Sequence, residues 1–184
     1  LTGRRVKFLS ILVICLLAAL PVMADSLNDM NEGSLALRRG NFTAAVVHLT
    51  AAIDAGDLAR ETNAAMLISR AQALYHLDQF QPAADDLTAA IDSGAINDTL
   101  VGIALATRAS TFRKMADWAR ALADFDAAIA LGTVNEKMLF HRGLTLEADG
   151  QHVRALKDFH RAHDMAPDNE AIREKLLELG GAVD

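Results

Sequence analysis

One helical stretch is written four times along this chain. GNFTAAVVHLTAAIDAG begins at Gly40. DQFQPAADDLTAAIDSG follows 38 residues on, ADWARALADFDAAIALG after another 38, and GQHVRALKDFHRAHDMA after a shorter step of 34. The copies align on Phe42, Phe80, Trp118 and His152. Three residues on, each has an alanine: Ala45, Ala83, Ala121, Ala155. Seven on comes a large apolar residue, Leu49, Leu87, Phe125 or Phe159, and ten on another alanine, Ala52, Ala90, Ala128 or Ala162. Ile53, Ile91, Ile129 and His163 come next. Offsets of 3, 7, 10 and 11 mark one stripe of an α-helix. The alanines let a neighbouring backbone come close, and the large residues fill the gaps between turns.

A second helix precedes each copy. Nine residues before the alignment point stands a small residue, Gly33, Ala71, Ala109 or Gly143. Three further on is Ala36, Leu74, Phe112 or Leu146, and thirteen before the point is Asp29, Leu67, Leu105 or Leu139. Short polar joints such as Arg38-Arg39-Gly40-Asn41 and Asp149-Gly150-Gln151 divide the two helices, so each unit is a helical hairpin. The composition agrees: 35 alanines, three prolines and 5% aromatic residues favour helices packed close together.

Small residues at positions 8, 20 and 27 of the unit, with Pro167 at position 32 of the last, resemble the tetratricopeptide repeat. The best-matching unit holds Leu139, Arg142-Gly143, Leu146, Ala155, Phe159, Ala162 and Pro167. A Sel1-like repeat has a similar length, but its glycine pattern is absent. The resemblance covers Ser26 to Pro167 and implies an all-α, right-handed solenoid of four hairpins, about 26–59, 64–97, 102–135 and 136–169. Units one and two are 38 residues long, so the helices that follow them are expected to begin about one turn early. Asp29 stands where a large apolar residue is usual, which predicts a weak first helix. Asp168-Asn169 can cap a further helix, Glu170 to Leu179, ended by Gly180-Gly181 and lined by Ala171, Ile172, Leu176 and Leu179. Such a helix, about 169–179, would close the exposed face of the last repeat. One hairpin cannot bury both its faces; stacked copies bury each other and leave a concave wall of first helices, a surface that suits other proteins.

The resemblance directs positions 2, 5, 9 and 12 of each first helix into that wall. It thereby nominates Met30, Leu37, Ile68, Gln72, Tyr75, Ile103, Ser110, Arg113, Lys137, Phe140 and Leu144 as a partner-binding groove. The wall is mainly apolar, with Tyr75 and Phe140 as anchors, and Arg113 and Lys137 favour an acidic group at one end of the ligand. The Lys and Asn clamp with which chaperone-binding members grip a terminal carboxylate is not reproduced. A second row is built from Arg70, Arg108 and Arg142, each just before the small residue of a first helix, with Asp86, Asp124 and Asp158 at a fixed offset on the second. The two positions are equally far from the turn, and the pair comes and goes together: unit one has Glu32 and His48 instead. An ion pair that sets hairpin register explains this better than a ligand-gripping arginine row.

Catalytic signatures are missing. There is no nucleophile elbow, phosphate loop or paired His-Glu helix motif. His152, His160 and His163 occupy repeat positions rather than a zinc-ligand pattern, so no metal and no cofactor is expected.

Residues 1–24 are of another kind. Arg4, Arg5 and Lys7 precede an apolar run from Phe8 to Leu20, and Val22 and Ala24 suit cleavage before Asp25: the layout of a secretory signal peptide. At 17 uncharged residues the stretch Phe8 to Ala24 is also at the lower limit for an uncleaved anchor, and Arg4-Arg5 is a weak match to a twin-arginine signal. Ile14 before Cys15, the one cysteine, argues against lipidation, and cleavage leaves residues 25–184 without a thiol. A non-AUG start translated literally would account for Leu1 and suits a bacterial source. Removing three basic residues leaves 15 against 24 acids, a net charge of −9, which disfavours nucleic acid and anionic membrane as partners. The expectation is a periplasmic or secreted, non-catalytic scaffold that binds a protein or peptide in its groove. A self-associating module, and hence a homo-oligomer, or an accessory regulator of an envelope-assembly enzyme are the alternatives.

Overall fold

A computed structural model describes residues 25–180; the signal-peptide reading, and Gly181 of the expected helix stop, lie outside the described residues. Helix α1 covers residues 25–38 and pairs with α2, Phe42–Asp54. Then follow α3 (Arg60–His76) with α4 (Phe80–Asp92), α5 (Asp98–Lys114) with α6 (Trp118–Ala130), and α7 (Glu136–Ala148) with α8 (His152–Met165). A last helix, α9 (Glu170–Glu178), packs on α8. Each helix lies against its neighbours in sequence, and the first helices α3, α5 and α7 also touch in turn. The architecture is an all-α solenoid of hairpins with a C-terminal helix.

Local chemistry sets the helix ends. Asn41, Asn97, Asp117, Asn135 and Asn169 each accept a hydrogen bond from the backbone N–H three residues on, satisfying one orphan donor of the helix they open. Each first helix stops the same way: the N–H of Asn41, Gln79, Asp117 and Gln151 bonds back to the carbonyl five residues earlier. That closure needs a left-handed residue just before it. Units one and four put Gly40 and Gly150 there, whereas Asp78 (φ 56°) and Ala116 (φ 59°) hold the same conformation in units two and three.

The stripe read from sequence is the core. The three alanine and large-residue rows, from Ala45 to Ala162, are all 0% exposed. Against them lie the small residues of the first helices. A Cβ added to Gly143 would sit 2.6 Å from Phe159 Cε1, and one added to Gly33 would sit 2.7 Å from Leu49 Cγ. In units one and four the glycine lets the large residue seven past the alignment point press on bare backbone, while Ala71 and Ala109 hold the same position in units two and three.

Helix lengths follow the unit lengths. α3 and α5 have 17 residues and α7 has 13, so the helices after the two 38-residue units begin one turn earlier. On α9, Ile172 and Leu176 are buried and Leu179 packs beside them. Ala171 is exposed instead of joining that apolar side, because it lies on the side of α9 turned away from α8.

Candidate functional site

The arginine row forms a lattice. Arg70 donates from Nε and Nη2 to the two carboxylate oxygens of Asp86, both at 2.7 Å. Arg108 does the same to Asp124 at 2.8 and 2.9 Å, and Arg142 to Asp158 at 2.6 and 2.7 Å. The remaining nitrogen, Nη1, reaches back across the joint to the preceding hairpin: Arg70 to Thr50, Arg108 to Thr88, Arg142 to Asp126. These hydrogen bonds to aspartate hold all three guanidinium groups above the usual arginine range, against the opposing pull of burial. Thr50, Thr88 and Asp126 occupy one repeat position and escaped the sequence reading, since a threonine at a helix surface carries no signal of its own.

Unit one keeps a hydrogen-bonded side-chain pair, with the carboxylate now on the first helix and its partner on the second. His48, at the position of Asp86, contacts Asp29 through Nδ1 at 2.8 Å, and Asp29 stands where the later units place a leucine. The carboxylate expected to weaken α1 is thus matched by the histidine that replaces the repeat's aspartate. A matched pair also links the first helix to the loop after the second helix in units one and three. Ser26 donates to Asp57 at 2.9 Å in unit one. In unit three Gly102 stands in the place of Ser26, and a Cβ there would lie 1.9 Å from Thr133 Oγ1.

A concavity of about 380 Å³ opens across α3, α5 and α7. Of the residues nominated from sequence, Gln72, Tyr75, Ile103, Ser110 and Lys137 line it, together with His76, Ala106, Thr107, Thr133, Asn135, Met138 and His141. The others lie elsewhere. Ile68 is buried in the core of unit two. Met30 and Leu37 pack on the N-terminal cluster around Leu49. Phe140 and Leu144 pack inwards on the C-terminal cluster, with the Phe140 ring 5.7 Å from that of Phe159. Arg113 stands outside the lining, half-buried on the last turn of α5. The wall therefore runs obliquely, from the end of α3 to the start of α7, instead of following equivalent positions of every unit. That slant brings in Asn135 and Lys137 at the head of α7 and leaves out Phe140 and Leu144 further along it.

His141 is the missed residue with the most chemistry. Burial, followed by the charges of Arg113, Lys114 and Lys137, pushes its pKa down to about 4. Its imidazole is neutral at neutral pH, and its buried Nδ1 has no hydrogen-bond partner among the described residues. None of the residues lining the concavity is acidic. Tyr75 is held at its edge by ring contacts with His76 and Phe80, at 5.7 and 5.8 Å between centroids. Among the described residues no group of three or more side chains is placed to hold a metal ion, and no helix is long and apolar enough to cross a membrane.

Stacked two-helix units, each setting a small residue against a large one, with a wall of first helices on one side, define a class of helical repeat proteins built to present a surface. The tetratricopeptide repeat family model matches residues 30–96 and 107–170, more than half of the chain, and the protein belongs to that family. Solved structures agree in fold. MamA 41-end from Desulfovibrio magneticus RS-1 is similar with a TM-score of 0.71 at 18% identity, covering 85% of this chain and 84% of that one. YrrB, a tetratricopeptide protein with an unusual peptide-binding site, gives 0.66 at 18%, covering 78% and 70%. The first tetratricopeptide domain of Spaghetti (RPAP3), bound to the HSP90 peptide SRMEEVD, gives 0.58 at 23%, covering 64% and 90%. No curated protein matches the chain.

Proposed function

We propose that this protein is a non-catalytic scaffold that holds a peptide segment of a partner protein in the concavity across α3, α5 and α7. The observation that carries the reading is the lining itself. Tyr75, Ile103 and Ala106 offer apolar area, while Gln72 and Asn135 offer amide groups for a ligand backbone. Two family relatives whose structures are described by their peptide sites support the same use of the fold. The reading extends to place. The basic start, apolar run and small-residue end of residues 1–24 support export, with the scaffold working in the envelope or outside the cell.

Site-specific photo-crosslinking in the cell tests the scaffold. A photoreactive residue at Thr107 in the groove should capture a defined partner, and one at Val153, 86% exposed on α8, should not. Loss of the Thr107 adduct on Tyr75→Ala at unchanged melting temperature places the partner in the groove. Equal capture from both positions, or capture indifferent to Tyr75→Ala, overturns the reading. N-terminal sequencing of the protein from the envelope fraction tests export: a chain beginning at Asp25 supports it, and an intact Arg4-Arg5 end refutes cleavage.

A further inference from the structure

We propose that the pocket between α7 and α8 of the last hairpin binds a phosphate group, carried by a small ligand or a lipid headgroup and held by Arg154, Lys157 and Arg161 beside Arg142. The pocket encloses about 250 Å³ and shares no lining residue with the concavity of the first helices, so the proposal stands apart from the groove reading.

The first argument comes from the repeat. The same depression recurs where hairpins one and two join, with Arg70, Leu74, Pro82, Asp85 and Asp86 in the places of Arg142, Leu146, Arg154, Lys157 and Asp158. There a proline and an aspartate stand where the last hairpin has two cations. At the middle joint Phe112 takes the place of Leu146, and the guanidinium of Arg120, the equivalent of Arg154, lies over its ring at 4.3 Å. The place of Arg161 is held by Ala51, Ala89 and Ala127 in the earlier units. The repeat therefore needs no row of cations here, yet the last unit carries three along one side of α8. Like charges three and four residues apart on a helix repel and weaken it, so local stability does not account for them.

The second argument is charge. The chain carries a formal net charge of −6, but this pocket is lined by four cations and one acid. Both oxygens of Asp158 accept from Arg142, at 2.6 and 2.7 Å, and Nη1 of the same arginine donates to Asp126 at 2.7 Å. Arg154 comes no closer than 3.9 Å to Asp126, and among the described residues Lys157 and Arg161 form no ion pair. The two carboxylates are thus committed to Arg142, and the three cations of α8 are left over. In a recess their fields add, which favours an anion.

Chemistry and size choose the ligand. Leu146 is the one apolar residue of the lining and is 1% exposed, so the pocket offers little to an apolar group. Guanidinium groups present N–H donors in a planar fork that matches phosphate oxygens, and the lysine adds a point charge. The volume falls below the about 300–1,000 Å³ of drug-sized sites, which suits a headgroup-sized anion. Seven residues at about 1.5 Å rise set Arg154 and Arg161 about 10 Å apart along α8, a gap their long side chains can close over a diphosphate.

Calorimetric titration of the full chain with sodium pyrophosphate at fixed ionic strength tests this. Pyrophosphate should bind, and citrate, of similar charge but without phosphate, should bind several-fold more weakly. Lys157→Gln and Arg161→Gln, at exposed positions, should each weaken pyrophosphate binding several-fold at unchanged melting temperature. Lys157→Asp, which reproduces the Asp85 of unit two, should abolish it. Arg39→Gln, at an exposed arginine of the first hairpin, should change nothing. Vesicles identify the source. Extra binding to phosphatidylcholine vesicles doped with phosphatidic acid, lost in Lys157→Asp, makes the phosphate a lipid's; equal binding to doped and undoped vesicles makes it a soluble ligand's. Citrate binding as tightly as pyrophosphate, pyrophosphate binding indifferent to Lys157→Asp, or no pyrophosphate binding overturns the proposal. A single-stranded oligonucleotide binding more tightly than pyrophosphate overturns the small-ligand assignment.

Discussion

Arg108 on α5 donates its Nη1–H to the hydroxyl of Thr88 on α4 at 2.9 Å, across the joint between two hairpins. Its other two donors hold Asp124 on α6, so one side chain ties its own hairpin together and fastens it to the one before. With both charged side chains less than one-fifth exposed, Arg108→Ala should destabilise the protein by about 1–3 kcal/mol. The loss should be much smaller when Asp124 is already alanine. Thr88→Val should cost about 0.5–1.5 kcal/mol and couple to Arg108 in the same way. Urea unfolding of the double-mutant cycles measures both terms. Additive losses would mean that the contacts do not act together.

The close approach at Gly143 sets a second expectation. Gly143→Ala brings a methyl group to 2.6 Å from the Phe159 ring, which is 0% exposed. Overpacking of this kind costs about 1–3 kcal/mol. Combining it with Phe159→Leu, which restores the alanine–leucine pairing of Ala71 and Leu87, should recover part of the loss in the same measurement.

Gly102 and Thr133 should behave as a pair. Gly102→Ala alone forces Thr133 out of its place beside the groove, lowering the melting temperature and altering peptide binding. The double change Gly102→Ala, Thr133→Ala reproduces the Ala64 and Ala95 of unit two and should restore most of the stability. A double variant no more stable than the single one would show that the clash is not what Gly102 avoids.

Ala116 holds a left-handed conformation at φ 59°, where units one and four place glycine. Ala116→Gly should therefore stabilise the chain, by about 0.5–1 kcal/mol after the added entropy of the unfolded state is counted. Thermal and urea unfolding read the sign directly, and a destabilised variant would contradict the argument.

Acid should loosen the groove end of the molecule through His141. Its folded pKa is depressed to about 4, below the ordinary histidine value of about 6.5, so the unfolded state binds the extra proton. The stability it contributes is present above about pH 6.5 and is lost as pH falls towards 4, at most about 3 kcal/mol in all. His141→Gln should flatten stability against pH across that window. An unchanged profile would show that His141 is more open to water than the structure places it.

The repeat made the fold legible in advance. Alanines and large residues at helical spacing can be buried in register only if each hairpin meets the next, and four copies leave little choice but a solenoid. Some helix ends were readable too: the joints around Gly40 and Gly150 and the cap at Asn169 act over only three to five positions. The arginine and aspartate positions of units two to four also stand out in the sequence, since they appear together and lie equally far from the turn.

Contacts between units were not readable in this way. Nothing local announces that Thr50, Thr88 or Asp126 receives an arginine from the next hairpin. The groove shows the same limit. Equivalent positions of every first helix look alike in sequence, yet the wall crosses the helices obliquely, so Phe140 and Leu144 turn into the core while Asn135, Met138 and His141 reach the surface of the concavity. Periodicity states which face of a helix is buried. The angle at which successive helices cross states which end of that face a partner can touch, and that angle arises from the packing of whole units against one another.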